Sequence, residues 1–115
     1  MLDTIKICII PAAGEATRWD PISSYIPKEM LPLGNKPIIE WIIKEAIESG
    51  CEQVIIVINR KKEVIKKYLL NKSNIDKRRL VFTYQQNPIG IADALLTAKK
   101  LIKNQPFGLI FPDNP

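Results

Sequence analysis

Ile5-Lys6-Ile7-Cys8-Ile9-Ile10, running directly into Pro11-Ala12-Ala13-Gly14-Glu15-Ala16-Thr17-Arg18, is the stretch from which the fold of this chain can be read. The first part is apolar except for Lys6. A strand with one wet face alternates apolar and polar residues. A near-continuous β-branched run instead suits a parallel strand covered on both faces. The residues after it are small or polar and include a single glycine. Small side chains let a backbone approach an anion, and the N–H groups of such a loop can cradle phosphate. Taken alone, the loop is equally compatible with an ordinary strand-to-loop turn. No Gly-Lys-Ser/Thr follows, as a P-loop requires, and the glycine spacing of a dinucleotide fingerprint is missing.

Downstream, prolines at 11, 21, 27, 32 and 37 exclude one continuous helix or a central strand between Pro11 and Pro37. Ile26, Met30, Leu31 and Leu33 within that stretch predict an ordered loop packed on the core. Pro37 is placed to open a helix as its first residue. Ile38, Ile39, Ile42, Ile43, Ala46 and Ile47 then recur at helical spacing, with Glu40, Lys44, Glu45 and Glu48 on the other side and Gly50 as the stop. Val54 to Ile58 reads as a second buried strand. In Lys61 to Leu70, Val64, Ile65, Tyr68 and Leu69 form one helical stripe. Leu80 to Tyr84 is a third strand. Ile91 to Ile102 is a third helix, with Ala94, Leu95, Ala98, Leu101 and Ile102 inward. Phe107 to Phe111 is a fourth strand. The order β-loop-αβαβαβ predicts an α/β fold of three layers, a Rossmann-like parallel sheet with helices on both faces and right-handed crossovers. Ligands of such sheets bind beyond the carboxyl ends of the strands. Ala12 to Arg18, Gln85 to Gly90 and Pro112 to Asn114 fall there.

Composition narrows the chemistry. The 115 residues are 46% hydrophobic and 25% charged, the balance of an ordinary globular chain. No apolar run is long enough to span a bilayer and no secretory leader opens the chain, so no membrane association and a cytoplasmic location are expected. Histidine is absent, which excludes Ser-His-Asp and Cys-His nucleophilic sites within this chain. Chemistry here must run on Lys, Arg, Asp, Glu and metal. Cys8 lies in an apolar run and Cys51 follows a glycine; the pair suggests neither a disulfide framework nor a zinc site, and both are expected as buried thiols. The net charge of +5 is local: Arg60 to Arg79 holds nine Lys or Arg against Glu63 and Asp76. A solvated helix face explains this better than nucleic-acid binding, because Tyr68 is the only aromatic residue in the stretch.

Three more segments, taken with the loop that ends in Thr17-Arg18, extend the pattern. They are Ile26-Pro27-Lys28-Glu29-Met30-Leu31-Pro32-Leu33-Gly34-Asn35-Lys36-Pro37, then Gln85-Gln86-Asn87-Pro88-Ile89-Gly90-Ile91-Ala92-Asp93-Ala94, then Phe111-Pro112-Asp113-Asn114. In this order they resemble the sugar-phosphate nucleotidyltransferase family, in which a small-residue loop ending in Thr-Arg precedes a Pro-Lys element and a Lys-Pro opens the first long helix. The wording Pro-Lys-Glu-Met-Leu-Pro is most similar to the bacterial UTP–glucose-1-phosphate uridylyltransferase branch. The resemblance covers nearly the whole chain. It implies that residues 1–115 are the nucleotide-binding N-terminal part of a single larger domain of the nucleotide-diphospho-sugar transferase fold, whose sugar-binding half lies further along. A piece of a longer enzyme, inactive by itself, is expected.

The implied reaction is attack by the phosphate of a sugar 1-phosphate on the α-phosphorus of UTP, with pyrophosphate leaving. It needs charge neutralisation and in-line positioning more than a base, because the nucleophile is already an anion. On the resemblance, Arg18 binds the triphosphate and steadies pyrophosphate, and Lys28 neutralises charge near the α-phosphate. The backbone of Ala12, Ala13 and Gly14 meets the base and ribose. Gln85 reads one edge of uracil or thymine with its amide, Gly90 leaves room for the base, and Glu29 assists in reading it. Asp113 holds Mg²⁺. The implied partners are UTP, a sugar 1-phosphate (glucose 1-phosphate first) and, at full length, further copies of the chain.

Departures from the family pattern are also visible. Ala16 stands where glycine is usual, Glu15 brings a negative side chain into the loop, Ser23-Ser24 replace Thr-Lys, and Asp93 replaces a histidine. They leave the class intact and keep open thymidylyl or cytidylyl transfer and a non-catalytic nucleotide-binding module. Trp19 and Trp41 read as packing residues.

Overall fold

The structure, a computed structural model, describes residues 5–13, 27–85 and 91–111. In chain order its elements begin with β1 (Ile7–Pro11). A short antiparallel hairpin follows, β2 (Pro32–Leu33) and β3 (Lys36–Pro37), and leads into α1 (Ile38–Glu48). Then come β4 (Gln53–Ile58), α2 (Glu63–Asn71), β5 (Leu80–Tyr84), α3 (Ile91–Ile102) and β6 (Phe107–Leu109). The four main strands form one parallel sheet in the order β5-β4-β1-β6.

Alternation along the central strands divides the core in two. Cys8 and Ile10 of β1, with Val54, Ile56 and Ile58 of β4, face α1 and α2, where Ile39, Ile43, Ile65 and Leu69 meet them. Ile7 and Ile9, with Ile55 and Val57, face α3 and its Ala94, Ala98 and Ile102. Both faces of the sheet are therefore covered, as the continuous apolar runs require. The strand order also reverses beside β1. The chain moves outward through β4 and β5, then crosses back through α3 to β6. Such a reversal is the switch point at which sheets of this kind bind ligands.

Several local expectations are corrected. Pro37 is the cap before α1 rather than its first residue, because it also pairs with Pro32 to close the β2–β3 hairpin. Gly34 turns that hairpin at a φ of 70°, and Gly50 stops α1 as expected, at 115°. Leu33 is exposed instead of packed on the core, whereas Met30 does pack against it. Val64 and Leu101 face solvent, since a stripe read at ideal helical spacing is wider than the surface the sheet offers. The fourth strand stops at Leu109, not Phe111. Trp41 is on the surface; its Nε1 donates to the Leu33 carbonyl at 2.6 Å, and Lys36 lies over its ring.

Two corrections concern buried chemistry. Glu40, expected on the wet side of α1, is buried and accepts from the Tyr68 hydroxyl and from the Asn74 N–H. Tyr68 is pushed up to about 12, first by that hydrogen bond to the carboxylate and then by burial. The cysteines are joined as a disulfide, with Cα atoms 6.3 Å apart, where free thiols were expected. Cys8 points from β1 toward α1, and Cys51 sits between α1 and the neighbouring strand β4, so the crossover brings together residues 43 positions apart. Spacing alone carries no trace of that meeting.

Candidate functional site

At the carboxyl edge of the sheet the hydrogen-bond ladder runs one residue beyond each strand. The Ala12 N–H donates to the Val57 carbonyl at 2.7 Å, the Gln85 N–H to Ile58 at 2.8 Å, and the Ile110 N–H to Ile9 at 3.0 Å. In register the exits of β1 and β5 lie within one residue of each other, while β6 ends two residues earlier, its Ile110 beside Ile10. Ala12 turns its methyl toward the α1 and α2 side and Ala13 toward the α3 side, both buried. The structure therefore brings Ala12, Ala13 and Gln85 to one edge, with β4 between the two alanines and Gln85, a gap of about 10 Å at two strand spacings. Gly14, Arg18, Gly90 and Asp113 lie outside the described residues, as do Glu15, Ala16, Trp19, Ser23 and Ser24.

Gln85 is 3% exposed. Its Nε2 donates to Asp93 Oδ2 at 2.7 Å, from the first turn of α3. An ionised carboxylate only accepts, so Asp93 dictates which way round the amide sits. The aspartate that stands in place of a histidine thus has a definite task, orienting Gln85.

Lys28 and Glu29 begin a 3-10 turn (Lys28–Met30). Prolines at 27 and 32 remove two N–H groups here, and the remaining ones close locally. Met30 donates to the Pro27 carbonyl at 2.8 Å, Leu31 to Lys28 at 3.2 Å, and Ile38 to Leu31 at 2.9 Å. Lys28 is half-buried. Glu29 is 2% exposed, and each of its carboxylate oxygens lies 3.2 Å from Lys62 Nζ, itself 7% exposed. A charge this deep is tolerated because its partner is equally deep and bonded to both oxygens.

Asn59 follows β4 directly and is 7% exposed. Its Nδ2 donates to the Ala13 carbonyl at 2.6 Å and its Oδ1 accepts from the Lys61 N–H at 2.9 Å. Neither Asn59 nor Lys62 emerged from the sequence as a site residue. Asn59 carries a usable signal, an asparagine capping a helical start just after a strand. Lys62 carries none, being one cation in a basic run. Within that run Arg60 lies over the Tyr84 ring, while Lys66 lies over Phe82 and Tyr84. The Tyr84 hydroxyl meets Glu63 at 2.8 Å. The aromatic partners of the basic stretch thus come from β5, out of sequence.

Two clefts lie away from this edge. One of about 270 Å³, lined by Lys6, Glu52, Gln53 and Gln105, sits near the amino ends of the strands. Another of about 170 Å³ lies between Lys44, Asn74 and Arg79. Neither touches Ala12, Ala13, Asn59 or Gln85. Among the described residues no group of three or more His, Cys, Asp or Glu converges, and no helix is long and apolar enough to cross a membrane.

Comparison with known proteins places these features in a wider set. The family model described as nucleotidyl transferase matches residues 7–115. A UTP–glucose-1-phosphate uridylyltransferase of Mycoplasma genitalium is 32% identical across 99% of this chain, which covers 46% of that protein. A solved UDP-glucose pyrophosphorylase from Acinetobacter baumanii superposes with a TM-score of 0.83 at 31% identity, over 95% of this chain and 46% of its own. A UDP-glucose pyrophosphorylase complexed with UDP-glucose gives a TM-score of 0.78 at 39% identity, over the same shares of the two chains. The chain spans about half the length of the relatives it matches.

Proposed function

The chain belongs to the nucleotidyl transferase family, and on that premise we propose that it forms the nucleotide-holding part of an enzyme making UDP-glucose from UTP and glucose 1-phosphate. In this reaction an oxygen of the sugar phosphate forms a bond to the α-phosphorus, the bond from that phosphorus to the β-phosphate oxygen breaks, and pyrophosphate leaves. No proton need be taken from the nucleophile. What the protein must supply is alignment and positive charge.

Arg18 and Lys28 supply that charge, Arg18 on the departing phosphates and Lys28 near the α-phosphate. Ala12, Ala13, Gly14, Gln85 and Gly90 hold the nucleoside, and Glu29, whose carboxylate is taken up by Lys62, supports them from behind. Gln85 reads the pyrimidine, and Asp93 keeps its amide one way round. Asp113 fits Mg²⁺, a hard cation that takes one or two carboxylates and completes its shell from water and substrate phosphates. When bound, the ion neutralises phosphate charge. The reaction joins two small phosphorylated metabolites, which suits a cytoplasmic enzyme.

The observation that carries the reading is Gln85, buried at the exit of β5, level with Ala12 and Ala13, its amide oriented by a carboxylate. A pyrimidine edge offers one donor and neighbouring acceptors, and an oriented amide discriminates among such edges. Titration of the chain with UTP, dTTP, CTP and GTP in the presence of Mg²⁺ tests this. UTP and dTTP are expected to bind similarly, and CTP and GTP more weakly, with the preference lost in Gln85→Ala. Equal binding of GTP and UTP would defeat the proposal.

A further inference from the structure

We propose that the turn Asn59-Arg60-Lys61-Lys62 is a two-point clamp that sets the spacing of the two segments meeting the nucleotide, with Asn59 and Lys62 as positioning residues. The inference rests on the functional reading above. Asn59 holds the carbonyl of Ala13, at the entry to the loop that follows β1. A carbonyl fixed by a hydrogen bond fixes the whole peptide plane to which it belongs. Lys62 holds both oxygens of Glu29, the residue next to Lys28 in the Pro-Lys-Glu-Met element. These two segments are separated by residues 14–26 in sequence, and one turn grips both ends.

The turn is closed by its own hydrogen bonds. The Lys62 N–H donates to the Asn59 carbonyl at 3.0 Å and the Lys61 N–H donates to Asn59 Oδ1 at 2.9 Å, closing a 3-10 turn (Arg60–Lys62) that runs into α2. Its start is anchored to the end of β4, the strand next to β1. Both gripping side chains are more than nine-tenths buried, and both bonds are polar. Buried polar bonds contribute little net stability compared with apolar packing, but they admit only one geometry. That is the property a site needs when it must hold nucleoside-facing backbone and a cation in register.

The test separates clamping from nucleotide binding. Asn59→Asp keeps the acceptor for Lys61 and loses the donor to Ala13. Glu29→Leu with Lys62→Met removes the ion pair without stranding a buried charge, and stands in if Lys62→Met alone fails to fold. For both variants, exchange of the Ala12, Ala13, Met30 and Leu31 amides is measured without ligand, and UTP affinity with Mg²⁺, at a temperature where circular dichroism shows the native signal. Exchange at those amides is expected to rise while that of β4 stays unchanged, and the UTP dissociation constant to rise about tenfold in each variant. Lys62→Arg is expected to restore most of the affinity that Lys62→Met loses, which a packing role would not do. Folded variants with wild-type exchange and wild-type affinity would overturn the clamp. If the wild-type chain does not bind UTP, the functional reading falls and takes the clamp's nucleotide role with it. The exchange data then decide by themselves whether the grip exists, and unchanged exchange overturns that too.

Discussion

From Val54 to Ile58 every side chain is buried and every one is apolar, whereas one residue further along Asn59 is buried too and is an amide. The same contrast holds between the helix-facing core and Glu29, Lys62 and Gln85 at the carboxyl edge of the sheet. In the strand interior, burial itself is favourable, and residues of similar volume can substitute at modest cost. At the edge, burial opposes folding unless each polar atom meets its partner, so the geometry there is exacting. The interior makes the fold stable; the edge admits only one arrangement of its polar groups.

The sharpest way to break the contrast is to strand a charge at the edge. Lys62→Met leaves Glu29 without its counter-ion and is expected to cost about 3–5 kcal/mol in urea unfolding, whereas the same change with Glu29→Leu is expected to recover most of that loss. If the double variant is as unstable as the single one, the edge is being stabilised by packing rather than by pairing. In the interior, Ile56→Ala is expected to cost about 2–5 kcal/mol through lost transfer energy and a residual cavity, while leaving the exchange behaviour of residues 12–13 unchanged below the melting range.

Tyr68 and Glu40 form an intermediate case, a polar pair set into the apolar face between α1 and α2. Tyr68→Phe is expected to cost about 1–3 kcal/mol at neutral pH, because a buried carboxylate loses a donor. The pH dependence carries a definite sign. The hydroxyl is raised from its ordinary value of 10 to about 12, so the folded state holds the proton more tightly. Its stabilisation is complete below pH 10 and is lost as pH rises toward 12. Denaturation curves between pH 9 and about 12 should therefore fall less steeply for the phenylalanine variant than for the parent. The smallest effect on stability is expected at Asp93→Asn. That change frees the Gln85 amide to turn over, and it should lower the preference for UTP over CTP with little movement of the melting temperature. Unchanged selectivity would mean that Asp93 does not act on base choice through Gln85.

Much of the frame is legible in the sequence. The apolar runs at residues 5–10 and 54–58 marked the central strands because only a sheet covered on both sides tolerates them. The helical stripes placed α1, α2 and α3 to within a few residues. Misreadings fell where an element meets something distant. Glu40 looked solvent-facing because periodicity averages over a helix and cannot register one tyrosine on another helix. Cys8 and Cys51 looked like separate thiols because a crossover, not a spacing, joins them. Lys62 looked like one more cation in a basic stretch, since its partner lies 33 positions earlier. The aromatic residues beneath Arg60 and Lys66 come from β5 and not from the basic stretch itself.

By itself the sequence determined the class of fold, the order of its strands and helices, and the resemblance to sugar-phosphate nucleotidyltransferases, including Ala12, Ala13 and Gln85 at strand exits. Those are properties of hydrophobic periodicity and local motif, which nearest neighbours in the chain decide. Tertiary structure alone decided which polar groups are buried together: Asn59 with Ala13, Lys62 with Glu29, Asp93 with Gln85 and Tyr68 with Glu40. A buried polar group is stable only against a particular partner, and such partners are brought together by sheet order and helix crossing, which no local pattern records.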